Sequence, residues 1–137
     1  MIISRTPLRI SLVGGGTDMK YFYSNQQAKV ISLAIDKYIY IIIKKRFDSK
    51  IVLNYSKREI VNSTNEIKHQ LIRESMKLLG IKDSIEITSI ADIPSEGSGL
   101  GSSSAFTVGL INALSTFIGK NLDQEEIARL ACIVEIE

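Results

Sequence analysis

The chain is 137 residues long, 45% hydrophobic and 23% charged, the size and balance of one ordinary domain with a core and without room for two. Seventeen Lys and Arg against fifteen Asp and Glu leave a formal charge of +2 spread along the chain, so no basic stripe or tail points to nucleic acid. The apolar run Ile39-Tyr40-Ile41-Ile42-Ile43, closed by Lys44, Lys45 and Arg46, falls far short of the ~20 residues of a membrane span. No apolar segment of about 7–15 residues precedes a small-residue cleavage site, so a cytoplasmic protein is expected. A single cysteine, Cys132, excludes an internal disulfide.

Pro7 to Val13 is rich in branched residues and runs into Gly14-Gly15-Gly16, which predicts a strand and then a tight loop. Between Lys29 and Lys45, two β-branched runs favour strands and Asp36-Lys37 between them reads as a turn; Lys50 to Tyr55 repeats the pattern. Together these predict a mostly antiparallel sheet. From Asn65 to Leu79, Ile67, Leu71, Ile72, Met76 and Leu79 recur at three- and four-residue steps and Gly80 follows as a stop, which predicts an amphipathic helix. His69 on that helix is expected at its flank or in solvent, and one histidine supports no metal or triad reading. Ser84 to Ile90 alternates Ile85 and Ile87 with Glu86 and Thr88, a strand leading past Pro94 into a Gly/Ser loop. Ala105 to Ile118 is almost unbroken apolar helix, and Asp123 with Glu126 opens a last helix striped by Ile127, Leu130, Ala131 and Val134. Cys132 is expected there as a small buried hydrophobe. No stop signal follows Val134-Glu135-Ile136-Glu137, so uncovered apolar surface and self-association are expected.

Two glycine-rich segments carry the chemistry. Gly97-Ser98-Gly99-Leu100-Gly101-Ser102-Ser103-Ser104 lies between a predicted strand and a predicted buried helix, where free N–H groups and the helix dipole gather around an anion. Its glycines admit a ligand close to the backbone, and its hydroxyls can bind phosphate oxygens or complete the shell of Mg²⁺. It lacks the Gly-Lys-Ser/Thr ending of a Walker A loop, and neither its glycine spacing nor a βαβ repeat fits a Rossmann fold. Gly14-Gly15-Gly16-Thr17-Asp18 offers donors and acceptors to a polyhydroxylated ligand, although a turn with Asp18 as helix N-cap explains the same residues.

In this order, Pro7 through Asp18 and Pro94 through Ala105 resemble the first and second signature motifs of the GHMP kinases, and the resemblance covers nearly the whole chain. The Gly-Gly-Gly-Thr-Asp form is similar to the branch that phosphorylates D-glycero-α-D-manno-heptose 7-phosphate at its anomeric hydroxyl, where galactokinases show Gly-Glu-His-Thr-Asp. Phe106-Thr107-Val108-Gly109-Leu110 is similar to the same branch. The resemblance implies an α+β GHMP kinase N-terminal domain of the ribosomal protein S5 domain 2-like type over residues 1–137, a mostly antiparallel sheet packed with helices. It implies an ATP- and Mg²⁺-dependent sugar kinase whose partner is a small sugar phosphate. Carried over by position, Gly97, Ser98, Gly99, Leu100, Gly101, Ser102, Ser103 and Ser104 cradle the ATP phosphates, and Ser103 and Glu135 hold the metal. Arg9 stands near the reacting hydroxyl as a catalytic residue, and Gly15, Gly16, Thr17 and Asp18 contact the sugar. At about 100° per residue, helical geometry does not choose Glu135 over Glu137; the family spacing does. The family's catalytic Asp and C-terminal domain would follow Glu137, so the 137-residue chain alone is expected to be inactive. A non-catalytic sugar or nucleotide sensor and an inactive truncated kinase are the rival readings.

Overall fold

A computed structural model describes residues 1–17, 19–94 and 98–136, with Lys20 described by its backbone alone. Five strands, β1 (Ile2–Val13), β2 (Ile31–Lys45), β3 (Ile51–Asn54), β4 (Arg58–Val61) and β5 (Ile85–Ala91), form one sheet in the order β1-β2-β5-β3-β4. Every pairing is antiparallel except β3 with β5. Helices α1 (Lys20–Tyr23), α2 (Gln70–Leu78), α3 (Ser102–Phe117) and α4 (Gln124–Ile136) complete the α+β fold expected from the sequence.

The strands' period of two sends Ile39, Ile41, Ile43, Ile51, Leu53, Ile85 and Ile87 into a core shared with Ile72 and Met76 of α2 and Leu110 and Leu114 of α3. Each such side chain, fully buried, stabilises the fold by roughly 1.5–3 kcal/mol relative to leaving it in water. A second cluster joins Ile111 of α3 to Ile127, Ala131 and Val134 of α4. Helix α3 lies close on the sheet because Gly109 has no side chain; a Cβ there would stand 2.5 Å from Thr6 Oγ1 on β1.

Five local expectations need correction. The first strand begins at Ile2, not Pro7, because residues 2–6 pair with 39–43 of β2. Asp36-Lys37 is no turn: β2 runs through it unbroken, and the two residues are taken up as a bulge. Pro7 faces Tyr38 and Arg9 faces Ala34, so Leu8 alone stands opposite Ile35, Asp36 and Lys37. The helix expected from Asn65 begins only at Gln70; a 3₁₀ turn at Thr64–Glu66 is followed by Ile67 in an extended conformation. Ile67 is buried in the core from that extended link, which imitates a helical spacing with Leu71. His69 is half-buried and caps α2 instead of facing solvent. Cys132 is exposed, since the stripe of Ile127, Ala131 and Val134 faces α3 and the next residue turns about 100° away from it. The short strand β4 had no sequence signal of its own.

On the far halves of β1 and β2, Leu12, Val13, Ile31 and Leu33 are each more than half exposed. No described helix is long and apolar enough to cross a membrane.

Candidate functional site: a serine-rich loop between β1 and α3

Strand β1, the loop after β5 and the start of α3 meet at Arg9. Its N–H donates to the Leu100 carbonyl at 3.0 Å, at the point where the β1–β2 register slips and frees that group from the ladder. Gly101 caps α3 in the left-handed conformation, φ +70°, which an L side chain adopts only with strain. A Cβ on Gly101 would also stand 3.0–3.1 Å from Cγ, Nε and Cζ of Arg9, so the arginine side chain lies directly over the loop. Its Nη1 donates to Ser11 Oγ at 2.7 Å, which holds the guanidinium along β1. Within the loop the Ser98 and Ser102 hydroxyls are 2.9 Å apart, and Leu100 N–H approaches Ser98 Oγ at 3.4 Å.

The first helical hydrogen bond of α3 runs from Ala105 N–H to the Gly101 carbonyl at 3.0 Å. The N–H groups of Ser102, Ser103 and Ser104 therefore lie in the first turn, where no intrahelical acceptor exists, and no side chain caps them. This arrangement is the positive end of a sixteen-residue helix dressed with three hydroxyls.

Packing of α4 on α3 through Ile111 brings Glu135 to the same end. Ser103 Oγ donates to Glu135 Oε1 at 3.4 Å and Ser104 Oγ to Oε2 at 3.3 Å. One carboxylate with two hydroxyls is an all-oxygen set that suits a hard cation such as Mg²⁺, which keeps several waters and leans on substrate phosphates. Among the described residues no group of three or more His, Cys, Asp or Glu gathers as a self-sufficient metal cage.

Beside the loop opens a cleft of about 400 Å³ lined by Tyr55, His69, Phe106, Ile93, Ser102 and Ser103. His69 stacks on Phe106 with centroids 5.2 Å apart and meets Tyr55 edge-on at 4.8 Å. Its Nδ1 is buried without a hydrogen-bond partner. Burial lowers the His69 pKa, against the opposing pull of Glu59, so the ring is neutral at pH 7. Tyr55 is pushed up to about 12, first by burial and then by its bond to Glu59. Sequence reasoning missed this wall: the three aromatic positions lie on a strand end, a helix start and a helix interior, and nothing in their spacing joins them.

The glycines before Thr17 form a separate turn. Thr17 gives both its N–H (3.1 Å) and its hydroxyl (2.7 Å) to the Gly14 carbonyl, and Gly14 has φ +89° with the Lys29 carbonyl where a Cβ would be. Gly15 and Gly16 have open space at their Cα atoms. The turn begins five residues beyond Arg9, roughly 17 Å along an extended strand. The structure thus brings Arg9 to Leu100 and Gly101, and Ser103 and Ser104 to Glu135, while the turn stands at the far end of β1. Asp18, Gly97 and Glu137 lie outside the described residues.

Comparison with known proteins matches residues 53–137 to the family model of the GHMP kinases N terminal domain. The chain is 32% identical to D-glycero-alpha-D-manno-heptose 7-phosphate kinase of Campylobacter jejuni, covering 99% of this chain and 43% of that protein. It is also 32% identical to mevalonate kinase of Methanocaldococcus jannaschii, covering 99% of this chain and 47% of that one. Among solved structures, a D-glycero-D-manno-heptose 1-phosphate kinase from Bacteriodes thetaiotaomicron superposes with a TM-score of 0.86 at 26% identity, over 98% of this chain and 48% of that one. The chain spans less than half the length of these relatives.

Proposed function

The chain belongs to the GHMP kinase family, and from that premise we propose that it binds Mg²⁺ and ATP at the serine-rich loop and serves transfer of the γ-phosphoryl group to a hydroxyl of a sugar phosphate. The acceptor we favour is the anomeric hydroxyl of D-glycero-D-manno-heptose 7-phosphate. Similarity to a heptose 7-phosphate kinase over 99% of the chain, together with the Gly-Gly-Gly-Thr-Asp segment, supports that choice.

The observation that carries the reading is the open first turn of α3 beneath the Arg9 side chain. In phosphoryl transfer the protein mainly positions the groups and neutralises charge. The N–H groups of Ser102–Ser104 and the helix dipole supply fixed positive potential for the phosphates, with no reorganisation at the moment of reaction. Gly101 lets those phosphates approach the backbone, and Arg9 adds a full charge on the β1 side. Ser103, Ser104 and Glu135 are the residues that would hold Mg²⁺, whose chemistry is to neutralise the phosphate oxygens and orient them. The neighbouring cleft, apolar and aromatic along most of its wall, has the size and character to exclude water around the base. Thr17 and Asp18 are assigned to sugar hydroxyls on the family resemblance.

Calorimetric titration of the 137-residue chain with ATP in the presence of Mg²⁺ tests the binding half. ADP release with heptose 7-phosphate, galactose or mevalonate as acceptor, measured on a protein that carries this chain together with a C-terminal domain like that of its relatives, tests the transfer. Binding that needs both ATP and Mg²⁺, with ADP release greatest on the heptose phosphate, is expected. Absence of ATP binding overturns the site; binding without ADP release on any acceptor in that two-domain protein favours a nucleotide sensor.

A further inference from the structure

Glu59 of β4 is a nearly buried carboxylate whose oxygens are filled by neutral donors. Oε1 accepts the Tyr55 hydroxyl at 2.6 Å and the His69 backbone N–H at 3.2 Å, and Oε2 accepts the Lys68 backbone N–H at 2.8 Å. Taking a charge out of water is expensive, and an apolar side chain at this place in a hairpin would avoid the expense. The donors are not scattered. Two of them belong to the wall of the cleft: Tyr55 at the end of β3 and His69 at the start of α2, and Lys68 is the residue that leads into His69. His69 in turn touches both other rings of that wall.

We propose that Glu59 is a positioning residue for the nucleobase, holding Tyr55 and His69 so that the rings of Tyr55, His69 and Phe106 form one preset wall of the cleft; the inference rests on the nucleotide reading above. A base stacked on aromatic rings gains about 1–3 kcal/mol, and each side chain that must be ordered on binding takes back about 0.5–1.5 kcal/mol. Fixing the Tyr55 ring through its hydroxyl, and the backbone that carries the His69 ring, beforehand preserves part of that gain. Ionisation is consistent with a permanent lock. Burial would push the Glu59 carboxyl up, but the Tyr55 hydroxyl and the two backbone N–H groups outweigh it and hold the pKa below the ordinary carboxylate range. Tyr55, pushed up to about 12, stays a donor throughout the neutral range.

The test compares Mg²⁺-ATP with Mg²⁺-tripolyphosphate as ligands of the 137-residue chain, because the second has the phosphates and no base. Glu59→Ala should weaken ATP about tenfold, or about 1.4 kcal/mol, and Tyr55→Phe severalfold, with tripolyphosphate binding unchanged. Glu59→Gln, which keeps an acceptor for Tyr55 and His69, should recover most of the loss. Tyr55→Phe removes one oxygen atom and keeps the question open to measurement if Glu59→Ala fails to fold. If the wild type prefers ATP to tripolyphosphate and the variants keep that preference in full, the positioning role is overturned while the nucleotide reading stands. Equal weakening of both ligands makes Glu59 a support of the fold alone and also overturns it. Wild-type protein that binds neither ligand removes the nucleotide reading and this inference with it.

Discussion

Replacing Gly101 by alanine probes the join between loop, helix and Arg9. The residue sits at φ +70°, where an L side chain costs about 1–2 kcal/mol, partly offset by about 0.4–1 kcal/mol from a stiffer unfolded chain. A net loss of about 1 kcal/mol follows. With an unfolding entropy of about 2.1 cal/mol/K per residue, a chain of 137 residues should then melt roughly 3–4 °C lower. Gly99, at φ +64° with nothing within 4 Å of its Cβ position, is the control for that strain and should fall by a similar amount. Only Gly101→Ala drives a methyl to 3.0 Å from the Arg9 side chain, which must move aside. Differential scanning calorimetry reads the strain. Titration of ATP into the four combinations of Gly101→Ala and Arg9→Ala reads the contact, and about tenfold weaker binding is expected from Gly101→Ala alone, with little further loss once Arg9 is absent. A Gly101→Ala protein that melts with the wild type refutes the strain, and full additivity with Arg9→Ala refutes the claim that the loop acts through that side chain.

Ser103→Ala and Glu135→Gln should each raise the Mg²⁺ concentration needed for half-maximal ATP binding by about tenfold, and unchanged Mg²⁺ dependence in both would remove them from the metal site. His69→Phe should flatten the dependence of melting temperature on pH below about 6.5. The folded His69 pKa lies below its unfolded value, so the wild type holds this contribution above about pH 6.5 and loses it as the pH falls through the folded value; equal slopes for the two proteins would count against it. Gly109→Val should destabilise by about 1–3 kcal/mol in chemical denaturation, and Thr6→Ala should restore part of that loss if the clash is with the Thr6 hydroxyl.

Local rules were enough wherever a segment's own chemistry settles its state. The alternation of Ile85 and Ile87 with Glu86 and Thr88 is a strand in the structure, and the Asp123 carboxylate takes the Glu126 N–H at 2.8 Å at the start of α4, as the capping pattern predicts. The glycines and serines at 98–104 likewise follow a strand and open a helix, because their order alone encodes a close-approach loop before an apolar run. Tertiary structure decided what no window of sequence contains. Asp36-Lys37 has the composition of a turn, but long pairing on both sides with β1 makes a bulge cheaper than breaking the ladder. Ile67 has helical spacing, but the backbone N–H groups of Lys68 and His69 find a carboxylate from β4, so the helix waits until Gln70. The family spacing singled out Glu135, but its approach to Ser103 and Ser104 depends on the packing of Ile111 against Ala131 and Val134, which sets the end of α4 beside the start of α3. Hydrophobic period and turn chemistry act between neighbours in the chain and are written in its order. A site built from β1, β3, α2, α3 and α4 depends on contacts between residues scores of positions apart, and those exist only once the core has set the elements against one another.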